Sequence, residues 1–245
     1  MISKSKLKIV KSLNYKKNRL NSNCFVIEGI KGIIEVLKSN YDVEFTVVSK
    51  KTYDKYSSYL SGDKIYILEE NEIKKTSNLK NNIVGFSVAK TKKNDINNLN
   101  FDDIIIALDS VNDPGNLGTI IRIADWFNVK NIICSKNTVD LYNPKTIQAS
   151  MGSFTRVNLY YEDLESIFKR SSIKVYGTST KNGKSINEKE KISKGVVLFG
   201  SESNGINSSL KKYVDDWVSI NKFGGAESLN VSVSVGIILN EIRKD

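Results

Sequence analysis

The sequence predicts an α/β protein in which a small N-terminal domain precedes a domain built on a parallel sheet. Three segments carry the prediction, because each runs from a short apolar strand through a loop of Gly, Asn and Ser into a helix: residues 108–127, 196–206 and 217–243. Continuous apolar strands are typical of a parallel sheet that is covered on both faces. Ligands of open α/β sheets bind at the carboxyl ends of such strands. A candidate site therefore lies where the three loops meet.

Composition excludes several function classes. The chain has 245 residues, 40% of them hydrophobic, and a mean hydropathy of −0.30, which suits two modest domains with real cores. It has no apolar run near the roughly 20 residues that span a membrane and no apolar signal-peptide core, so we expect a cytoplasmic protein. Histidine is absent, which excludes histidine triads and histidine-ligated metals. Cys24 and Cys134 form no C-x-x-C pair, and we expect neither a zinc site nor a disulfide.

Most of the net charge of +10 lies in the first hundred residues, which hold 19 Lys and Arg against 10 Asp and Glu. Residues 101–245 hold 18 against 17. A basic half of this kind commonly meets nucleic acid; compositional bias towards Lys and Asn is the alternative.

Residues 4–19 contain seven Lys or Arg and no acidic residue. Their apolar residues lie near helical spacing and predict one helix with an apolar stripe and a cationic face. The stripe consists of Leu7, Val10, Leu13 and Leu20. Lys17 and Arg19 are candidate phosphate contacts, and a solvated surface is the alternative.

The N-terminal domain is predicted to be a small α/β domain. Its expected strands are residues 24–29, 45–48, 65–68 and 83–88, and its expected helices are residues 31–38 and 53–60. The polar segment 89–100 is typical of an interdomain linker. We place the domains at 1–92 and 102–245, joined by a linker at 93–101.

In the second domain, Ile104–Leu108 predicts a buried strand, 109–118 a loop and 119–127 a helix that carries Arg122. An arginine on a mostly apolar helix is either an ion-pair partner or directed into a site. Asn116 in the preceding loop favours the site.

Further strands are expected at residues 131–134, 174–177, 196–199 and 218–220, and further helices near 164–169 and 210–213. Residues 181–194 predict a charged surface loop. The last helix is apolar from Val231 to Leu239, so we expect burial on more than one side and a partner. Its simplest cap is Ser228.

Three motifs in these loops resemble those of the SpoU branch of the SPOUT RNA methyltransferases. They are N-x5-R at Asn116 and Arg122, G-x-E-x-x-G at Gly200, Glu202 and Gly205, and S-L-N at Ser228, Leu229 and Asn230. Each is weak alone, but the three in this order, each after a strand, are specific. The run 16–39 resembles the start of the L30e-like substrate-binding domain of ribosomal RNA members of the family.

The resemblance implies a C-terminal SPOUT domain with a deep trefoil knot, a small N-terminal L30e-like α/β domain, and a homodimer. It also implies S-adenosylmethionine as the cofactor, held at Gly200, Ile220, Leu229 and Thr178. No G-x-G-x-x-G follows the first strand of either half, which disfavours a nicotinamide-binding Rossmann fold and the common unknotted methyltransferases.

The implied reaction is methyl transfer to a ribose 2'-hydroxyl of RNA. Ribosomal RNA is favoured by the N-terminal domain, and transfer RNA is the alternative. Arginine is effectively always protonated, so Arg122 is expected to hold a phosphate and polarise the hydroxyl. Asn116, Ser228 and Asn230 would position the ribose, and Glu202 would either orient a neighbour or accept the proton.

Lys145 lies in segment 135–153, which resembles one that frames the RNA side of the pocket in the family. It is a candidate phosphate contact or an ordinary surface lysine.

Two other functions stay open at this point: an RNA-binding protein that has lost catalysis, and methylation of a base.

Two positions depart from the family pattern. Asn221 stands where a proline commonly follows the isoleucine of the third motif, and this could loosen the cofactor loop. Asn128 stands where a glycine commonly ends the Arg122 helix. Asparagine tolerates the left-handed conformation that glycine supplies, so the second departure is expected to be mild.

Overall fold

The computed structural model describes residues 2–170, 172–180, 183–189 and 191–244. Packing divides the chain into two units. Unit 1 comprises Met1–Lys92 and Asp140–Thr155, and unit 2 comprises Lys93–Val139 and Arg156–Asp245. A segment from the second half of the sequence therefore packs within unit 1. The domain limits at 92 and 102 stay a prediction, because packing does not test which part folds alone.

The helices and strands follow in chain order. The helices are α1 (Lys4–Ser12), α2 (Lys16–Ser22), α3 (Ile30–Lys38), α4 (Lys50–Tyr56), α5 (Glu70–Thr76), α6 (Pro114–Trp126), α7 (Pro144–Ser150), α8 (Leu164–Arg170), α9 (Ser208–Lys211) and α10 (Val231–Ile242). The strands are β1 (Cys24–Glu28), β2 (Val43–Ser49), β3 (Ile65–Leu68), β4 (Gly85–Lys90), β5 (Ile104–Leu108), β6 (Asn131–Ser135), β7 (Asn158–Glu162), β8 (Val175–Thr178), β9 (Lys184–Ser185), β10 (Gly195–Phe199) and β11 (Asp216–Ser219). Short 3-10 helices are Ser57–Tyr59, Ile96–Asn98, Ser153–Thr155 and Ile186–Glu188.

Unit 1 is built on a four-stranded sheet in the order β1-β4-β2-β3. β4 pairs antiparallel with both β1 and β2, whereas β2 and β3 are parallel. Its core contains Val10, Val26, Val47 and Phe86. The segment Asp140–Thr155 adds α7, which packs on β1, and Phe154, whose ring meets that of Phe25 edge to face at 5.8 Å.

The single basic helix predicted for residues 4–19 is wrong, since the structure has α1 and α2 with a break between them. Side chains of α2 satisfy the carbonyls at the end of α1, which lack intrahelical donors. Nδ2 of Asn18 donates to the carbonyl of Ser12 at 2.9 Å. The Arg19 guanidinium donates to the carbonyls of Leu13 and Asn14 at 3.0 and 2.9 Å.

The predicted apolar stripe is only partly correct. Val10 and Leu13 are fully buried, but Leu20, which lies in α2 after the break, is 65% exposed.

Unit 2 is built on a seven-stranded sheet in the order β7-β6-β5-β10-β8-β11-β9. All the neighbouring pairs in this sheet are parallel. Every residue of β5 and β10 is buried, as the continuous apolar runs predicted. Leu108 pairs with Phe199 at the carboxyl ends of these two strands, so the loops after β5 and β10 begin side by side.

Helix α6 begins five residues earlier than expected. Asp113 is its N-cap and accepts a hydrogen bond from the backbone N–H of Asn116 at 2.8 Å, and Pro114 is its first residue. An acidic cap followed by proline is a strong helix start. Asn116 therefore lies in the first turn of α6 and not in the loop. At the other end, Asn128 has a φ of 56°, so it adopts the left-handed conformation expected of it.

Helix α10 is capped by Asn230 and not by Ser228. Oδ1 of Asn230 accepts from the backbone N–H of Ser232 at 2.9 Å. The helix packs on α6, where a Cβ at Gly236 would lie 3.6 Å from Cδ1 of Ile123. In the described part of the chain, α10 is buried on one face only. Val233, on the other face, is 48% exposed.

Of the segment 181–194, Lys181, Asn182 and Glu190 lie outside the described residues. The rest is not a plain loop, since it contains β9 and the 3-10 helix Ile186–Glu188. In the part of the chain that the structure covers, no helix has the length and apolar character needed to cross a membrane.

Candidate active site

The loops after β5, β10 and β11 leave the same edge of the sheet in unit 2. The loops after β5 and β10 are hydrogen-bonded to each other where they begin, because the backbone N–H of Asp109 donates to the carbonyl of Phe199 at 2.8 Å. The third, residues 220–230, leads from β11 to α10 and is exposed from Asn221 to Asn230. The three predicted motifs lie in or next to these loops.

One hydrogen-bond chain joins the three motifs. Nδ2 of Asn116 donates to Oε1 of Glu202 at 2.5 Å, and Nδ2 of Asn230 donates to Oδ1 of Asn116 at 3.0 Å. The orientation of each amide follows from its neighbours, since Oδ1 of Asn230 is used by the N–H of Ser232 and a carboxylate can only accept. The chain is therefore a directed relay of donors that ends on the Glu202 carboxylate.

Arg122 is not part of this network. It is exposed on α6, and it has no ion-pair or hydrogen-bond partner among the residues that the structure describes. It lies six residues beyond Asn116, which is about 9 Å along the helix axis and on a different face. Its guanidinium is thus available to an external group, and its catalytic role stays a prediction.

The other two residues of the third motif are open to solvent. Ser228 is exposed, and Leu229 is 46% exposed. Ile220, at the start of the same loop, is half-buried. The loop therefore presents an apolar side chain and exposed backbone groups at the edge of the sheet where ligands of parallel sheets bind.

The loop after β10 is tightly folded on itself. Ser201 and Gly205 exchange two backbone hydrogen bonds of 2.9 and 3.2 Å. A Cβ on Gly200 would lie 2.0 Å from the carbonyl carbon of Gly205, so no other residue fits there. Gly205 has a φ of 63°, a conformation that side chains other than Asn and Asp rarely adopt. Both glycines of the motif are required by the backbone, and Glu202 is held at the tip.

Thr178, the fourth predicted cofactor residue, ends β8. Its hydroxyl donates to the carbonyl of Leu198 at 3.0 Å, which ties β8 to β10. Gly200, Ile220, Leu229 and Thr178 follow three neighbouring strands, so the four could together line one pocket for an apolar and partly charged cofactor.

The three predicted RNA contacts all belong to unit 1, and one of them is not supported. Arg19 is 4% exposed, and its guanidinium also pairs with Asp140 at 2.7 Å. Each of its three nitrogens therefore already donates to a group inside the protein. Lys17 and Lys145 are exposed and remain predicted phosphate contacts.

Asp109 lies beside these loops and is not among the site residues predicted from the sequence. This residue is 5% exposed, and its carboxylate accepts from the N–H of Asn207 at 2.7 Å and from the hydroxyl of Ser110 at 3.0 Å. An acidic residue directly after a buried parallel strand is a signal that could have found it.

Covalent catalysis by cysteine does not fit this structure. Cys24 and Cys134 are both unpaired and buried, and burial raises the pKa of each thiol. The reactive form of cysteine is the thiolate, so neither is a nucleophile. Across the described residues, no cluster of three or more acidic or cysteine side chains is placed to hold a metal ion.

Comparison with known proteins gives family matches for both halves. The SpoU rRNA Methylase family matches residues 103–240, and the MRM3-like substrate binding domain matches residues 4–82. The 23S rRNA (guanosine(2553)-2'-O)-methyltransferase RlmP of Bacillus subtilis (strain 168) is 30% identical over 241 residues, which are 97% of this chain and 96% of that protein.

Two solved structures are similar over nearly the whole length. A TrmH-family protein from Porphyromonas gingivalis is 28% identical with a TM-score of 0.87, covering 99% of this chain and 98% of that one. The AdoMet-bound rRNA methyltransferase from Sinorhizobium meliloti is 26% identical with a TM-score of 0.87, covering 99% and 96%. The family match extends over more than half of the chain, and the relative over nearly all of it, so this chain belongs to the SpoU rRNA methylase family.

Proposed function

We propose that the protein transfers a methyl group from S-adenosylmethionine to a ribose 2'-hydroxyl of ribosomal RNA. The observation that carries the proposal is the hydrogen-bond chain from Asn230 through Asn116 to Glu202. It joins the three family motifs at one edge of the sheet, and a protein that only bound RNA would have no physical need for it.

The residues present fit the cofactor. Gly200 lies where any side chain would collide with the backbone of Gly205 and Ile206, so glycine there lets the loop fold tightly at the edge of the sheet where the cofactor would bind. Leu229 and Ile220 would offer apolar surface to an adenine ring, and Thr178 would line the pocket at the end of β8. When bound, the sulfonium of the cofactor supplies an electrophilic methyl group, so the protein has mainly to align the hydroxyl and take up its proton.

Asn116 and Asn230 would align the ribose, since the hydrogen bond between them holds both beside the exposed loop 221–230 at the edge of the sheet. Ser228 would contact the same sugar. Arg122, which has no partner in the described chain, would hold the phosphate next to the target and polarise the hydroxyl; it cannot accept the proton. The Glu202 carboxylate is the acceptor at the end of the donor relay, and it would receive the proton directly.

Ribosomal RNA is the favoured substrate. RlmP of Bacillus subtilis, which is similar over nearly the whole chain, is named for 23S rRNA. The match of residues 4–82 to a substrate-binding domain coincides with the basic part of the chain, where Lys17 and other exposed lysines can neutralise phosphates. Transfer RNA remains the alternative, and the cytoplasmic location stays a prediction.

The proposed active form is a homodimer. Trp126 on α6 is 84% exposed and Val233 on α10 is 48% exposed, although α6 and α10 pack together. Large exposed apolar side chains on adjacent helices are typical of an interaction surface. Light scattering after gel filtration should give a dimer mass for the wild type and a monomer mass for Trp126→Glu.

Calorimetric titration with S-adenosylmethionine tests the function first. We expect micromolar-range binding by the wild type, and loss of binding by Leu229→Arg, which places a charged side chain in the apolar part of the pocket. Transfer of label to 23S rRNA, with transfer RNA as the parallel substrate, then identifies the RNA class.

The titration also has an outcome that contradicts the proposal. Absence of cofactor binding by the wild type, with and without RNA, would favour an RNA-binding protein without catalysis. Label found on bases and not on ribose oxygens would exclude 2'-hydroxyl transfer.

A further inference from the structure

A buried carboxylate lies beside the methyl-transfer motifs without belonging to any of them. Asp109 directly follows β5, and its side chain is shielded from solvent. Its Oδ2 accepts from the backbone N–H of Asn207 at 2.7 Å, and its Oδ1 accepts from the hydroxyl of Ser110 at 3.0 Å. Hydrogen bonds to a charged acceptor are among the stronger ones, and a buried carboxylate without such donors is costly. Asp109 therefore holds Asn207 in place.

Asn207 is the end of the loop that carries Glu202. At the start of this loop, Gly200 packs so closely on the backbone of Gly205 and Ile206 that any side chain there would collide with it. In the middle, the paired Ser201 and Gly205 close a tight turn. At its end, Asn207 caps α9 by accepting from the N–H of Ser209 at 3.0 Å. The loop is thus fixed at both ends, and Asp109 makes the fixing contact at the second.

The backbone around Asp109 is itself held by neighbouring strands. Ser110 adopts a φ of 59°, which is uncommon for a residue with a side chain. Its N–H donates to Oγ of Ser135 in β6 at 2.9 Å. The backbone at Asp109 is therefore held by β10 on one side and by β6 on the other.

We propose that Asp109 is a positioning residue of the methyl-transfer site. Through the N–H of Asn207 it fixes loop 200–207 so that Oε1 of Glu202 meets Nδ2 of Asn116. It contacts neither the cofactor nor the RNA, and its effect on rate rests on the proposed function. Its effect on the loop rests on geometry alone.

Two substitutions at this position separate the contact from the charge. Asp109→Ala removes the acceptor, and we expect kcat for methyl transfer to fall at least about tenfold, since small misplacements of catalytic groups are costly. Asp109→Asn can still accept from the Asn207 N–H through Oδ1, while its NH2 group donates to the Ser110 hydroxyl. We expect Asp109→Asn to restore kcat to within about threefold of the wild type, with KM for RNA changed by less than about twofold in both variants.

A matched control removes a carboxylate elsewhere in unit 2. Asp163 accepts from the hydroxyl of Ser166 at 2.6 Å, beside the start of α8. Asp163→Ala removes an exposed carboxylate that also accepts from a serine hydroxyl but lies outside the three loops, so its kcat should stay at the wild-type value.

A second route removes the donor instead of the acceptor. Asn207 has a φ of −55°, which proline can adopt, and proline has no N–H. Asn207→Pro is compared with Asn207→Ala, because both lose the side-chain cap and only the first loses the donor. We expect the kcat of Asn207→Pro to lie at least about tenfold below that of Asn207→Ala. This comparison decides the question even if Asp109→Ala does not fold.

Hydrogen exchange gives a readout that does not depend on activity. The amides of residues 201–207 should exchange faster in Asp109→Ala than in the wild type, Asp109→Asn or Asp163→Ala. If the wild type transfers no methyl group but these amides still exchange faster in Asp109→Ala than in the wild type, the proposed function is overturned and the loop contact stands. The positioning role is overturned by wild-type kcat in Asp109→Ala, by an Asn variant no better than Ala, or by equal loss in Asp163→Ala.

Discussion

The side chains of Asn116 and Asn230, which are 114 positions apart in the chain, share a hydrogen bond of 3.0 Å. Nδ2 of Asn230 donates and Oδ1 of Asn116 accepts. The bond joins the first turn of α6 to the cap of α10. Because the other side-chain atom of Asn230 caps α10 through the N–H of Ser232, one residue both starts a helix and holds the neighbouring motif.

The two duties of Asn230 can be separated by substitution. Asp is as good an N-cap as Asn, so Asn230→Asp should keep the free energy of unfolding while it loses the donor to Asn116. Asn230→Ala should lose the cap as well, at a cost of about 1 kcal/mol. We expect methyl transfer to fall in both variants by a similar factor. Urea unfolding and single-turnover methylation measure the two effects, and wild-type turnover in Asn230→Asp would show that the bond is dispensable.

Arg122 should matter for turnover and not for cofactor binding, because it lies outside the network and has no partner in the described chain. We expect Arg122→Ala to lower kcat by about 100-fold or more, as for loss of a charge-stabilising donor, with nearly unchanged cofactor affinity by calorimetry. Arg122→Lys should recover only part, since lysine lacks the planar fork.

Arg170→Ala is the matched control for Arg122, since Arg170 is also exposed in unit 2 but lies at the carboxyl end of α8. Its turnover should equal that of the wild type. An active Arg122→Ala variant would remove Arg122 from the mechanism.

Most of the strands could be predicted from sequence because their signals are local, whereas β7 and β9 were not expected. Ile104–Leu108 is an uninterrupted apolar run, and the strand has those bounds. The start of α6 was predictable too, since Asp113 followed by Pro114 is a cap and a first helical residue. Pro and Gly are also typical turn residues, and the prediction of a loop over 109–118 leaves Asn116 outside the helix.

The surroundings of Arg19 could not be predicted, because its partner Asp140 lies 121 positions away. In the sequence Arg19 is one of seven basic residues before position 20, and nothing local distinguishes a buried arginine from its exposed neighbours. The packing of residues 140–155 within unit 1 is hidden for the same reason. Long-range pairs of this kind are fixed by the fold and not by the pattern of nearby residues.

The buried position of Arg19 predicts a structural role. Arg19→Ala would leave Asp140 and the carbonyls of Leu13 and Asn14 without their donors, and breaking a buried pair in this way costs about 3–5 kcal/mol. We expect a loss of that size in urea unfolding. Lys17→Ala is the control, because an exposed lysine should change stability by no more than about 0.5 kcal/mol while it weakens RNA binding. Equal stability of the two variants would restore Arg19 as a candidate surface contact.

The ion pair between Lys189 and Asp216 predicts a specific dependence of stability on pH. The hydrogen bond from Lys189 lowers the pKa of Asp216 below its ordinary value of 3.8. A carboxyl group with a lower pKa in the folded state contributes stability that is fully present above its unfolded pKa, which is about 3.9. This contribution is lost as the pH falls through the folded pKa.

Urea unfolding of the wild type and Asp216→Asn from pH 7 down to pH 3 tests this dependence. The wild type should be more stable by a constant amount at pH 7 and pH 5, and the difference should shrink below about pH 4, where the Asp216 carboxylate of the unfolded chain takes up its proton. Lys189→Ala removes the donor that lowers the pKa, so Asp216→Asn in that background should change the pH dependence little. A difference that stays constant down to pH 3 would mean that Lys189 does not stabilise the charged form of Asp216, because a pair that favours the carboxylate must weaken as the carboxylate is protonated.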